Sequence, residues 1–207
     1  IKRVKELGMK SIAMTDHGVM YGAIDFYKAC KAEGINGIIG CEVYVAQRTR
    51  FDKVHGLDSE RYHLVLLAEN QTGYQNLIKM VSAGWTEGFY TKPRVDKELL
   101  EKYHEGIICL SACLAGEVLQ NLLKDDYEKA KEVCLWYNNL FGQGNYYLEL
   151  QDHNLPEQKQ TNPLLIRLAR ETGIPLVVTN DAHYIRKEDA EIQKILELSE
   201  NQKCMSV

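Results

Sequence analysis

The chain has 207 residues, enough for one large domain or two small ones, and its 45% apolar and 26% charged content is ordinary for a globular protein. A formal net charge of −4 argues against a domain whose main task is to grip a nucleic-acid backbone, and no apolar run approaches the ~20 residues of a membrane span. Six cysteines, at positions 30, 41, 109, 113, 134 and 204, form no CxxC pair and suggest no disulfide framework, which fits a reducing cytoplasm.

In chain order, residues 1–8 read as an amphipathic helix closed by glycine, and 11–15 as a short buried strand. A helix over 19–34 and a strand over 35–46 follow, with Glu42 inside the strand. Residues 47–61 are polar without a helical period and read as a loop before a strand at 62–68 and a helix at 72–83. An aromatic and basic loop spans 85–94, then a short helix 95–103 and a strand 106–111 leading to Cys113. A helix over 126–141 precedes a strand at 146–150 that ends at Asp152 and His153. The helix 156–172 stops at Gly173, the last strand is 176–179, and a helix from 187 to about 198 precedes a polar tail.

Six strands alternating with helices predict an α/β fold with a largely parallel sheet, open or closed as a barrel, in one domain. The opening helix, glycine and strand form the second half of a βαβ unit, so a further strand is expected upstream of residue 1. The loop 47–61 contains no helix, so the strands on either side are expected to pair as an antiparallel hairpin.

The chemistry is expected beyond the carboxyl ends of the strands. There the chain places Asp16 and His17, Cys113, Asp152 and His153, and Asp181 and His183. The last pair sits two residues apart after an apolar run, and on an extended backbone both would face one pocket. Glu42 lies within its strand, and the hairpin returns His63 to the same rim. Imidazoles, carboxylates and a thiolate suit Zn²⁺, or Mn²⁺ and Fe where carboxylates dominate, and several such ligands hold two or three ions that clamp a phosphoryl group. Asp16 has the alternative of capping the next helix, and Asp152 and His153 that of plain loop residues. Within 85–94, Tyr90, Lys92 and Arg94 combine stacking with phosphate contact, against the alternative of a solvated loop with an aromatic anchor. No Walker glycine loop or GxSxG elbow is present.

Seven segments together resemble one family: TDHG at 15–18, GCEVYVA at 40–46, YHLVLLA at 62–68, FYTKPRVD at 89–96, LSACLAGE at 110–117, LELQDH at 148–153 and TNDAHY at 179–184. The chain is similar, over residues 1 to about 193, to the PHP (polymerase and histidinol phosphatase) domains of bacterial replicative polymerases, leaving 194–207 as a tail. The resemblance implies a distorted seven-stranded (β/α) barrel, its first strand and HxH ligands lying upstream of residue 1. It implies that His17, Glu42, His63, Cys113, Asp181 and His183 match metal-ligand positions, with His17, Asp181 and His183 central to catalysis and Asp16 supporting them. Tyr90, Lys92, Arg94 and His153 are then expected to meet a DNA 3′ end. The implied activity is metal-dependent phosphodiester hydrolysis, that is, 3′–5′ exonuclease proofreading, within a DNA polymerase III alpha subunit whose polymerase carboxylates this chain lacks. The alternatives are a non-catalytic module that stabilises the polymerase and docks a proofreading subunit, and a phosphomonoesterase.

Overall fold

The computed structural model describes residues 1–203; the last four positions of the expected tail, 204–207, lie outside the described residues. Helix α1 (Lys2–Glu6) feeds strand β1 (Ser11–Met14), and α2 (Ala23–Glu33) leads into β2 (Asn36–Ala46). Strand β3 (Arg61–Ala68) precedes α3 (Gln71–Thr86), the two-residue β4 (Arg94–Val95) and α4 (Lys97–Tyr103). Then come β5 (Ile107–Leu110), α5 (Glu117–Leu123), α6 (Tyr127–Phe141), β6 (Tyr146–Leu150), α7 (Pro156–Thr172), β7 (Leu176–Val178) and α8 (Ala190–Lys203). Asn70, Asp96 and Asp126 start α3, α4 and α6 by accepting the amides of Gly73, Leu99 and Lys129. Gly34 and Gly173 end α2 and α7 in left-handed conformations, as their positions in the sequence predict.

The strands form one sheet in the order β1-β2-β3-β5-β6-β7, with β4 added to the free side of β2. Strand β3 runs antiparallel to both β2 and β5, and the other pairings are parallel. The expected hairpin is therefore present. The sheet curls into an incomplete barrel, and among the described residues β1 and β7 remain its unpaired edges. One face carries Cys41, Val43, Val45, Leu64, Leu66, Cys109, Tyr146 and Leu148, which pack with α3 to α7 into the main core. The inner face carries a small apolar floor of Val65, Leu110 and Ala112, bordered by Leu67, Ile108, Tyr147 and Val177.

One element was not expected, and three expectations need correction. The segment 117–123 is a helix, although its seven residues are too short to show a clear helical period. Val95 is in a strand rather than a helix, because Arg94 and Val95 extend the edge of β2 before Asp96 caps α4. The last helix runs on through Lys203 instead of giving way to a tail near residue 198. Strand β7 is not buried: Val178 is 75% exposed, since it borders the open side of the curl.

Candidate metal centre

Alternate residues of paired strands share a face. The register Glu42↔Val65 and Tyr44↔His63 therefore sets Glu42, Tyr44 and His63 on the inner face, above the apolar floor. His63 Nδ1 lies 2.6 Å from Glu42 Oε1. Cys113, one turn beyond β5, brings Sγ to 3.6 Å from the same Nδ1. The loop that carries it is fixed by the His63 amide donating to Ala115 O at 3.1 Å and by Gly116 donating to Cys113 O at 2.8 Å. One ligand atom from each of Glu42, His63 and Cys113 fits within a 4.8 Å group.

His17 approaches this group from the turn after β1. Its Nε2 is 3.6 Å from Glu42 Oε1, and the Gly18 amide donates to Glu42 O while the Glu42 amide donates to Asp16 O. Gly18 is left-handed, with φ +67°, and a Cβ there would lie 2.8 Å from Pro93 Cγ and 3.1 Å from Tyr44 Cε2. Trp85 Nε1 donates to Gly18 O at 2.8 Å, so the last turn of α3 locks this turn. Asp16 supports the site through its carbonyl. It does not cap α2, whose N-cap is Gly22.

Asp181 and His183 arrive by a different geometry from the one expected. The strand ends at Val178, and Asp181 has φ +46°, so the pair is not on extended backbone. The turn brings His183 Nδ1 to 2.8 Å from Asp181 O and its ring to 5.5 Å from that of His17. Both side chains are more than 30% exposed. His153 stands behind this turn rather than in the mouth. Gln158 Nε2 donates to His153 Nδ1, which leaves the ring proton on Nε2 to donate to Asn180 O at 2.8 Å. Asp152 accepts the Asn154 amide as a loop residue.

Arg94 corrects another expectation. Its side chain is 1% exposed, and its guanidinium donates to the carbonyls of Gly88, Arg50, Asp52 and Asp58, tying the loop 47–60 to the sheet. A substrate strand does not reach it. Tyr90 lies against that guanidinium, whereas Lys92 is exposed and holds its Nζ 5.8 Å from the Tyr44 ring.

Electrostatics separates the inner carboxylates. Burial pushes Glu42 up, but the hydrogen bond from His63 and the charges of His17, His63 and His183 outweigh it and hold the carboxyl below its usual range. Burial pushes His63 down, but Cys113 and Glu42 lift it to about 9. Without an ion, a proton on His63 supplies the positive charge that Glu42 meets. Glu149, on the inner face of β6, is raised by burial and by the nearby charges of Glu42 and Asp181. Its Oε1 accepts from Thr179 Oγ1 and Gln151 Nε2, whereas Oε2 is buried without a partner. Sequence reasoning passed over Tyr44, Trp85 and Glu149, although the alternation Glu42-x-Tyr44 and Glu149-x-Gln151 marks the inner faces of two strands.

A carboxylate, an imidazole and a thiol within one coordination distance, with a second imidazole at 3.6 Å, fit a divalent transition metal. Known proteins are similar to this chain in sequence and in fold. Over 197 residues, the chain is 52% identical to the DNA polymerase III subunit alpha of Treponema pallidum, covering 95% of this chain and 17% of that protein. Over 200 residues it is 45% identical to the corresponding subunit of Thermus aquaticus, covering 95% of this chain and 16% of that one. The chain thus spans about a sixth of the curated relatives it matches. In fold it is similar to a protein described as a metal-dependent phosphoesterase from Bifidobacterium adolescentis, with TM-score 0.52, 11% identity, and coverage of 90% of this chain and 81% of that one. An amidohydrolase from Chromobacterium violaceum matches equally well, with TM-score 0.52, 13% identity, and coverage of 91% and 82%. The PHP domain family model matches residues 1–153. The chain belongs to the PHP domain family.

Proposed function

We propose that this chain is the PHP domain of a bacterial DNA polymerase III alpha subunit, acting in the cytoplasm, and that its centre supports metal-dependent hydrolysis of a phosphodiester at a DNA 3′ end. The observation that carries the reading is the convergence of Glu42, His63 and Cys113 within 4.8 Å, with His17 and His183 beside them. Zn, Mn or Fe, when bound, would act as a Lewis acid and lower the pKa of water. His17, Glu42, His63, Cys113, Asp181 and His183 would hold one to three such ions. With an ion bound, His63 would hold it through a deprotonated Nδ1, and Glu42, now 2.6 Å from that nitrogen, would offer its carboxylate to the same ion. The exposed Asp181 and His183 line the solvent side, where a strand end enters, and the apolar floor of Val65, Leu110 and Ala112 closes the other side to water.

The test is loading with Mn²⁺ or Zn²⁺ followed by incubation with a 5′-labelled single-stranded oligonucleotide. Stepwise shortening from the 3′ end, lost in Asp181→Ala, is the expected result. Metal uptake with turnover of p-nitrophenyl phosphate only would replace this reading with a phosphomonoesterase.

A second reading is a structural module that packs on the rest of the polymerase or on a proofreading exonuclease subunit. The exposed Val178, Ile185, Ile192 and Ile195 at the open edge and on α8 favour it. On that reading Asp181→Ala lowers the melting temperature of the full-length subunit and leaves nuclease activity unchanged.

A further inference from the structure

The inner face does not end at the metal ligands. Along β2 and β3 the pairs run Glu42↔Val65, Tyr44↔His63 and Ala46↔Arg61, so Arg61 lies two residues outward from His63 on the same face. The Arg61 guanidinium sits 5.5 Å from the Tyr44 ring, and Lys92 Nζ sits 5.8 Å from it. The same ring is 5.2 Å from that of His63 and 6.4 Å from that of His17. One aromatic ring therefore touches two metal-site imidazoles and gathers two cations. Arg61 is also underused within the fold. Its Nη1 donates to Ser59 O at 3.1 Å, but its Nε is buried with no partner. It also borders a polar cavity of about 290 Å³ with Gln47, Glu60, Gln120 and Lys124, separate from the Tyr44 and Lys92 side of the guanidinium.

A buried N–H without an acceptor carries a desolvation penalty, which a small shift of the Arg61 side chain towards a phosphate oxygen would relieve. A guanidinium also binds phosphate through a planar fork that few other groups match. We propose that Arg61 and Lys92, assembled on Tyr44, form a phosphate subsite beside the metal centre that takes the backbone phosphate next to the one being cleaved. The proposal deepens the reading above and rests on it for the identity of the ligand. It places strand recognition on Arg61 and Lys92 instead of Arg94, whose donors are spent on carbonyls.

The test measures binding of a 5′-fluorescein-labelled dT8 by anisotropy across a salt series, and of inorganic phosphate by thermal shift. The proteins are the wild type, Arg61→Gln, Lys92→Gln, the charge-keeping Arg61→Lys, and Lys131→Gln on the far helix α6. Metal content and melting temperature are checked for each. Support is a loss of about fivefold or more in dT8 affinity for Arg61→Gln and Lys92→Gln, with metal content unchanged, with Arg61→Lys between wild type and Arg61→Gln, and with Lys131→Gln near wild type. The salt slope should fall by about 0.7 for each lost contact, which a folding defect would not produce. Equal binding by wild type and Arg61→Gln overturns the subsite and leaves the hydrolytic reading standing. Phosphate binding that depends on Arg61, without dT8 binding, keeps the subsite and removes the strand as its source. Binding of neither probe by the wild type overturns the subsite.

Discussion

The two sides of the metal centre are built differently. Glu42, His63 and Cys113 come from the β2–β3 hairpin and the end of β5, in the middle of the sheet. Glu42 is 6% exposed there and its backbone is paired on both sides. Asp181 and His183 come from a turn beyond the edge strand β7, whose Val178 is 75% exposed. One side is held by sheet pairing, and the other by a few hydrogen bonds. Affinity for the ion should therefore reside mainly in the hairpin, and adaptability to a substrate in the turn.

The sharpest way to break this division is Glu42→Ala. Structural zinc sites are worth ~10–16 kcal/mol over about four ligands, so losing one ligand from the central trio should weaken metal binding on the order of 10³-fold, about 4 kcal/mol. Asp181→Ala should cost clearly less. Competition with a chromophoric chelator reads both, and equal losses would erase the distinction between the sides.

Arg94→Met tests the support behind the hairpin. It strips buried donors from the carbonyls of Gly88, Arg50, Asp52 and Asp58 and should lower stability by about 3 kcal/mol. Denaturant melts of the metal-free chain give the number. A change within 1 kcal/mol would mean that water replaces the guanidinium in this loop.

Most of the hairpin side was legible in the sequence. The polar, helix-free stretch 47–61 implies a β-hairpin, and the hairpin puts His63 beside Glu42. The open side was harder. Leu176-Val177-Val178 reads as a buried strand, because an apolar β-branched run looks the same at a sheet's edge as in its middle. The left-handed Asp181 left no mark, since neither proline nor glycine accompanies it. Arg94 and Arg61 are alike as residues, and only the fold decides that the first is consumed by carbonyls and the second keeps a buried N–H unpartnered. The helix α5 was missed through its shortness, and Glu149 because one acidic residue inside an apolar strand carries no period of its own.

Acidity gives a graded test of the hairpin side. In the metal-free fold His63 is raised from 6.5 to about 9. Its stabilising contribution is thus fully present below pH 6.5 and fades as pH rises through about 9. Glu42 works the other way: its lowered carboxyl contributes above about 4.5 and loses that contribution as pH falls through its folded value. An incoming ion must displace the His63 proton, so metal affinity should rise at least tenfold per pH unit, roughly 1.4 kcal/mol, between pH 6.5 and about 9, with any proton the Cys113 thiol gives up steepening it further. A flat profile between pH 7 and 8.5 would show that His63 is not a ligand or not protonated beforehand.

The smallest expected effect concerns how the open side is held. Thr179 Oγ1 donates to Glu149 Oε1, Gln151 Nε2 bridges the same pair, and His153 Nε2 donates to Asn180 O. These bonds anchor the two residues just before Asp181 to β6 and the loop after it. Thr179→Val keeps the shape and removes one hydrogen bond, about 1 kcal/mol. That small global loss should concentrate locally. Amide hydrogen exchange at residues 180–183 should speed up about fivefold, with the hairpin amides of 42–46 unchanged. Uniform acceleration over both regions would mean that the turn unfolds only with the whole domain, and that the two sides of the centre are equally rigid.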